Sequence, residues 1–122
     1  MRKIEAQMLI AVASRKDWSC DNTRVAVTYF AHGDKIIDRA TVYLHNSPIA
    51  QITADSVTVS DCGYPTATTK SRINAILRKF CGSGIYQRNY KWYGLPVNAP
   101  DFEFESNTPY IFERTDVAQP VS

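Results

Sequence analysis

The amino-acid sequence predicts an α+β domain in which helices cover one face of an antiparallel sheet. Two segments carry apolar residues at helical spacing, and between them lie short alternating strands separated by turn residues. The chain of 122 residues is long enough for one small domain and too short for two ordinary ones. The predicted order is helix, antiparallel meander of three to four strands, second helix, aromatic β-hairpin and acidic C-terminal arm.

The first helix is predicted over residues 4–14, where apolar side chains recur at helical spacing. Residues 18–23 follow as a loop, because they are rich in side chains that bond to the local backbone. From Arg24 the apolar period changes to two, and the β-branched and aromatic residues are typical of strands. Turn residues then divide an antiparallel meander. Its strands are expected at 24–30, 39–45, 49–53 and 57–59.

The second helix is predicted over residues 71–80, after three threonines that offer N-cap hydroxyls. One apolar stripe runs along it, formed by Ile73, Ile76, Leu77 and Phe80. Gly82 or Gly84 suits the left-handed position that ends a helix. An aromatic hairpin is then expected, with strands at 85–88 and 91–93.

The last part of the chain differs in composition from the rest. We expect residues 1–95 to form a single α+β domain and residues 96–122 to form an acidic, proline-containing C-terminal arm or tail. Four prolines in the last 29 residues argue against regular structure there. Phe102 and Phe104 alternate with acids, a pattern that fits one extended strand or a wrapping arm.

Several classes of protein are excluded by composition and motifs. No apolar run approaches the ~18 residues that span a bilayer, so we expect no membrane association and a cytoplasmic location. Three cysteines without a C-x-x-C pair predict free thiols and no metal site. Nucleotide-binding and nucleophile-elbow motifs are absent. We therefore expect that the protein is not an enzyme and binds no cofactor. Asp61, at the junction before the second helix, is expected to hold a turn or to brace a nearby Lys or Arg rather than to act as a catalytic base.

The net charge of +2 hides an uneven distribution. Residues 1–93 contain thirteen basic and seven acidic side chains, whereas residues 94–122 contain one basic and five acidic ones. The segment 62–100 has no acidic residue and carries six cations. A segment of one sign attracts polyanions or an acidic protein face. The alternative is a solvated polar face that the acidic arm partly neutralises.

The start of the second helix is the most distinctive candidate site. Free backbone N–H groups, hydroxyls and two cations in its first turn would bind an anion, and cations there oppose the helix dipole. The hairpin interleaves rings with cations, as proteins that bind single strands do. The predicted nucleic-acid-binding residues are Thr68, Thr69, Lys70, Ser71, Arg72, Arg78, Lys79, Arg88, Tyr90, Lys91 and Trp92.

Both features also have purely structural interpretations. The helix start would be an ordinary cap followed by an amphipathic helix with solubilising charges. At least half of the hairpin rings, including Tyr86 and Trp92, would complete the hydrophobic core.

The acidic arm offers a different candidate surface. Aromatic residues among carboxylates resemble the anchors of protein interfaces and would fill a partner's basic groove or mimic nucleic acid. The candidate protein-binding residues are Phe102, Glu103, Phe104, Glu105, Tyr110 and Phe112. The same arm could instead fold back on the basic segment as an autoinhibitor.

Four runs of residues form a recognisable set. They are Trp18-Ser19 with Asn22-Thr23-x-Val25, Val42-Tyr43-Leu44-His45 with Ile49-Ala50, a T-T-K-S-R-[IL]-N helix start at 68–74, and a Y-Q-R/K-x-x-K-W-Y hairpin at 86–93. Together they resemble a family of small proteins of unknown function encoded by tailed bacteriophages. The resemblance covers residues 17–93, leaves the acidic residues after Gly94 outside the shared pattern, and implies a phage origin without supplying catalytic residues.

A phage origin favours two non-enzymatic functions in the host bacterial cytoplasm. The first is a small accessory protein that binds DNA or RNA through the basic helix start and the hairpin. The second is a host-takeover or anti-defence inhibitor that binds a bacterial protein. The sequence favours nucleic acid narrowly, and leaves open DNA or RNA, any sequence preference, the host target and the oligomeric state.

Overall fold

The computed structural model describes residues 2–116 and confirms the α+β fold, with two helices and antiparallel sheets in that range. The helices are α1 (Lys3–Ser14) and α2 (Ala67–Cys81). The strands are β1 (Trp18–Cys20), β2 (Thr23–His32), β3 (Lys35–Leu44), β4 (Ser47–Ile52), β5 (Ser56–Val59), β6 (Gly84–Arg88), β7 (Lys91–Leu95), β8 (Phe102–Phe104) and β9 (Tyr110–Glu113).

Six strands form the larger sheet, in the order β1-β2-β3-β4-β5-β9. The first five strands of this sheet lie side by side in chain order, as in the predicted meander. Both helices pack on one face of the sheet. The meander gains a strand, because residues 18–20, predicted as part of a loop, pair with residues 23–25. Asp21 makes this tight connection possible with a φ of 52°. Within the predicted loop, Asp21 and Asn22 therefore form the turn of a hairpin.

The smaller sheet has the order β6-β7-β8, and the acidic segment completes both sheets. One extended strand was expected in that segment, whereas the chain forms two: β8 pairs with β7, and β9 pairs with β5. Phe104 and Phe112 are buried, and Gly94 of β7 leaves space for the Phe102 ring, which a Cβ at that position would overlap. Residues 117–122, the end of the predicted arm, lie outside the described residues.

The hydrophobic core lies between the helices and the larger sheet. The predicted apolar stripe of α2 is buried against the sheet, with each of its four side chains at most 1% exposed. Thr66 caps the start of the helix, where its Oγ1 accepts a hydrogen bond from the Thr69 backbone N–H at 3.2 Å. Gly82 ends the helix with a φ of 60°, as its sequence context predicts.

A buried ion pair joins α1 to α2. Arg72 Nη1 lies 2.7 Å from Glu5 Oε2, and both side chains are about 5% exposed or less. The Ser71 hydroxyl donates to the same carboxylate oxygen at 2.6 Å, and Arg72 Nε donates to Thr23 Oγ1 on β2 at 3.2 Å. This network ties the first turns of both helices to the sheet.

Breaking one side of this pair should destabilise the protein strongly. Arg72→Met leaves the Glu5 carboxylate buried without its cation, and we expect a loss of about 3–5 kcal/mol in the free energy of unfolding. Glu5→Leu combined with Arg72→Met removes both charges, and should recover most of that loss. Urea unfolding of the single and double variants measures both effects. Arg15→Gln, which breaks the more exposed pair with Asp38, is the control and should cost about 1 kcal/mol or less. A double variant no more stable than Arg72→Met would contradict this account.

The three cysteines are free thiols, as predicted, and differ in accessibility. Burial raises the pKa of Cys81 to about 11. Because the thiolate is the reactive form, Cys81 of the folded protein should resist iodoacetamide at pH 8, while the half-buried Cys20 is alkylated. Mass spectrometry of peptides from native and urea-unfolded protein measures this difference. Equal labelling of both cysteines in the native protein would contradict the packing around Cys81.

Candidate nucleic-acid interface

The outward side of α2 forms a shallow groove beside α1. Glu5 contacts Ser71 and Arg72, so the first turns of the two helices lie side by side. The groove encloses about 640 Å³. Its lining residues are Glu5, Leu9, Lys70, Ser71, Asn74, Ala75, Arg78 and Lys79.

The charge of this groove is positive. Glu5 supplies the carboxylate among its lining residues, and Arg72 compensates that charge from within the protein. Lys70, Arg78 and Lys79 have no ion-pair partner within residues 2–116. Two helix N-termini, each the positive end of a helix dipole, meet at the Lys70 end, and the first turn of α2 carries no acid. An anionic ligand in the groove would therefore meet three cations that form no ion pair within residues 2–116.

The hairpin β6–β7 continues this charge beyond the helix. Lys70 Nζ donates to Gln87 Oε1 at 3.3 Å, which links the start of α2 to the end of the hairpin. Next to Gln87, Arg88 is paired with Lys91 across the turn, so two cations stand at the tip. We call the set Lys70, Arg78, Lys79, Arg88 and Lys91 the basic face.

Several residues predicted to bind nucleic acid serve the fold instead. Arg72 is 4% exposed and bound to Glu5, so it does not lie on the surface where the sequence placed it. Thr69 is buried beside the cap residue Thr66, with their hydroxyls 2.9 Å apart, and Ser71 donates to Glu5. Thr68 is half-buried at the helix start. The start of α2 thus directs most of its hydroxyls inward.

Strand register decides which hairpin rings face solvent. Trp92 is 6% exposed because it lies opposite Phe104 on the inner face, 5.8 Å between ring centroids. Tyr86 and Tyr93 are paired on the outer face, where their rings stack with centroids 5.2 Å apart. Neither tyrosine is among the residues predicted to bind nucleic acid. Their orientation follows from the two-residue turn, which pairs 88 with 91 and therefore 86 with 93.

Tyr90 stands alone at the tip of the hairpin and is 96% exposed. Its φ is 68°, and that of Asn89 is 52°, as in a type I′ turn. The second position of such a turn favours glycine, because a side chain there costs about 1–2 kcal/mol. The hairpin therefore presents a fully exposed aromatic ring between the two cations of its tip, on a residue whose backbone is strained.

The rings of the alternative protein-binding surface pack within the protein. Phe104 and Phe112 are each 4% exposed, and Tyr110 lies between the rings of Phe102 and Phe104 at 4.9 and 4.6 Å. The carboxylates remain outside. Glu103 lies 3.6 Å from Lys91, and Glu105 is exposed. The arm thus brings one acid to the edge of the basic face.

Further along the chain, Asp116 lies near the other end of the basic face. Its pKa is lowered chiefly by its hydrogen bonds with Arg114, with a smaller contribution from the charge of Lys79. Glu103 and Asp116 of the C-terminal segment thus each act on one cation of the basic face, Lys91 and Lys79 respectively.

Asp61 is a structural brace, as the sequence predicted. The carboxylate is 1% exposed and accepts hydrogen bonds from the backbone N–H groups of Gly63 at 2.8 Å and Asn107 at 2.6 Å. The Ser106 hydroxyl donates to it as well. These bonds fasten the loop between β8 and β9 to the turn that precedes α2.

Residues 2–116 contain no group of three side chains placed to hold a metal ion. Neither of the helices described is long and apolar enough to cross a membrane.

Comparison with known proteins adds the family. No curated protein and no solved structure shows significant similarity to the chain. The family model described as Kyanoviridae Gp96 protein matches residues 1–113. This match confirms the phage origin that the sequence predicted, and it extends beyond the expected range of 17–93 to include α1 and the acidic strands β8 and β9. The chain belongs to the Kyanoviridae Gp96 protein family.

Proposed function

We propose that this phage protein is a non-enzymatic accessory protein that binds nucleic acid, DNA or RNA, in the host bacterial cytoplasm. One observation carries the proposal: the exposed Arg78, Lys79 and Arg88 and the half-buried Lys70 have no ion-pair partners in residues 2–116. The neighbouring Glu5 is neutralised by a buried arginine. Such a face attracts a polyanion, and attraction to phosphates supplies most of non-specific binding to nucleic acid.

The dimensions of the basic face fit a short stretch of backbone. Lys70 and Arg78 are eight residues apart on the same side of α2, which corresponds to about 12 Å along the helix axis. One strand of a duplex carries a phosphate for each rise of about 3.4 Å, so the helix spans about four nucleotides. The contact of Lys70 with Gln87 extends the path to the hairpin. Lys91 joins it, because its exposed pair with Glu103 is weak enough to exchange for a phosphate.

The alternative function is inhibition of a bacterial protein by the acidic segment. Its rings are occupied in internal packing, so this function would depend on exposed carboxylates such as Glu103 and Glu105. Deleting the segment would remove a strand from each sheet and would not test it. Glu103→Lys with Glu105→Lys reverses the charge and leaves the strands in place. Loss of a phage function in this variant, while nucleic-acid binding is retained or strengthened by the release of Lys91, would support the alternative.

A salt series tests the basic face. Binding of the purified protein to labelled single- and double-stranded DNA and RNA should weaken with salt, with a log–log slope of about −3 to −5. Lys70→Gln and Arg78→Gln should each reduce the magnitude of that slope by about 1, because each removes one phosphate contact. Fluorescence anisotropy measures both quantities.

The matched control is Lys16→Gln, an exposed cation beyond the end of α1 and outside the basic face. It should leave the slope unchanged. An equal effect of Lys16→Gln would show attraction without a defined face, and no binding at low salt to any of the four ligands would rule out the proposed function.

Tyr90 should contribute to binding at a cost to stability. Replacing it with glycine completes an Asn-Gly type I′ turn, and we expect the free energy of unfolding to rise by up to about 1 kcal/mol. The same change removes a stacking surface worth about 1–3 kcal/mol, which weakens single-strand binding by about 5- to 150-fold. Thermal unfolding and anisotropy measure the two effects.

Tyr90→Trp is the control at the same position, because it keeps the ring and the strained backbone. It should retain both affinity and stability. Unchanged single-strand affinity in Tyr90→Gly would show that the ring does not stack on a base.

A further inference from the structure

The long hairpin of β2 and β3 extends beyond the rest of the larger sheet. The two strands pair along their whole length, from Thr23 opposite Leu44 to His32 opposite Lys35. Their other neighbours end earlier, since β1 pairs with β2 only as far as Val25 and β4 pairs with β3 only from Ala40 onward. Residues 26–39 therefore form a two-stranded ribbon that no other described strand flanks.

The free edge of β2 presents backbone groups at alternate residues. The Val27 N–H bonds to Asp17 Oδ1 at 2.8 Å, on the side where β1 has already ended. Because direction alternates along a strand, Tyr29 and Ala31 point their N–H and C=O groups to the same side. Neither has a hydrogen-bond partner on that side within residues 2–116.

The two edges of the ribbon are protected unequally. The overhanging part of β3 contains Lys35, Asp38 and Arg39, and charged side chains on an edge discourage pairing with another chain. The stretch 26–31 of β2, Ala-Val-Thr-Tyr-Phe-Ala, has no charge and no proline. It also has high β propensity, and its Tyr29 and Phe30 side chains are 62% and 42% exposed. Proteins rarely leave such an edge open unless it pairs.

We propose that this edge pairs antiparallel with the same edge of a second copy of the chain, about a twofold axis at Phe30. Tyr29 of each copy then lies opposite Ala31 of the other, and each such pair exchanges both of its backbone hydrogen bonds. The large Tyr29 ring meets a small residue, and the two Phe30 rings meet at the axis. The contact ends where Asp17 occupies the Val27 N–H.

A second copy suits this edge better than an unrelated strand. A twofold contact requires one surface to complement itself, and Tyr29 with Ala31 supplies equal donors and acceptors in a symmetric arrangement. The stretch 26–31 contains no charged residue, so its own side chains add no charge repulsion when it pairs with itself. The axis runs perpendicular to the sheet, so both helix layers lie on the same face of the joined sheet.

Proline substitutions at one pair of opposing residues separate the two edges. Ala31 and Ile36 lie directly opposite each other, and each points its N–H outward, on the β2 edge and the β3 edge respectively. Ala31→Pro therefore removes a donor from the proposed interface, while Ile36→Pro removes one from the opposite edge. Light scattering over a wide range of concentration should give twice the mass of the chain for the wild type and for Ile36→Pro, and the mass of one chain for Ala31→Pro. Circular dichroism verifies that all three are folded.

Amide hydrogen exchange of the wild type provides a second readout that needs no substitution. The amides of Tyr29 and Ala31 should be protected at high concentration and should lose protection on dilution, while those of Ile36 and Asp38 exchange fast throughout. A wild type that stays monomeric, a dimer that survives Ala31→Pro, or loss of the dimer in Ile36→Pro would each overturn the proposal. These outcomes do not depend on nucleic-acid binding.

Discussion

The buried pair of Glu5 and Arg72 is the interaction on which the surface of this protein depends. Two charges leave water together and are stable there because the Ser71 and Thr23 hydroxyls complete the network. The pair sets the first turns of the two helices against each other. Within the pair, the buried Arg72 neutralises Glu5, the carboxylate that lines the groove. The cations on the outer side of α2 are then left without a local counter-charge, and the electrostatics of the exterior follow from an interior contact.

Periodic patterns predicted most of the fold. Both helices, four strands of the meander and the hairpin follow from apolar spacing and turn residues, since these signals depend only on near neighbours in the chain. The strand β1 was missed because the loop composition of residues 18–23 conceals a two-residue turn. Long-range pairing of β8 and β9 could not be predicted, since nothing in a short acidic strand specifies its partner.

The candidate site was harder to predict than the fold, because charge does not reveal the direction of a side chain. Arg72 lies four residues before the buried Ile76 and so borders the apolar stripe, close enough to turn inward toward Glu5. Trp92 and Tyr93 are adjacent in the chain and face opposite sides of the hairpin. Arg78, Lys79 and Arg88 are exposed, since their helical and strand positions point away from the core, whereas Lys70 is half-buried and donates to Gln87.

The completion of both sheets by β8 and β9 has a consequence for the timing of folding. While residues 2–95 are emerging from the ribosome, β5 and β7 each still lack a neighbour, and the aromatic cluster around Phe102 has not yet been made. The native edge of β5 is closed by a strand more than fifty positions later in the chain. Contacts of such long sequence separation form slowly, and unpaired strand edges are prone to aggregate. Neither sheet can therefore be completed until residues 102–113 have been synthesised, and the edges of β5 and β7 stay unpaired until then.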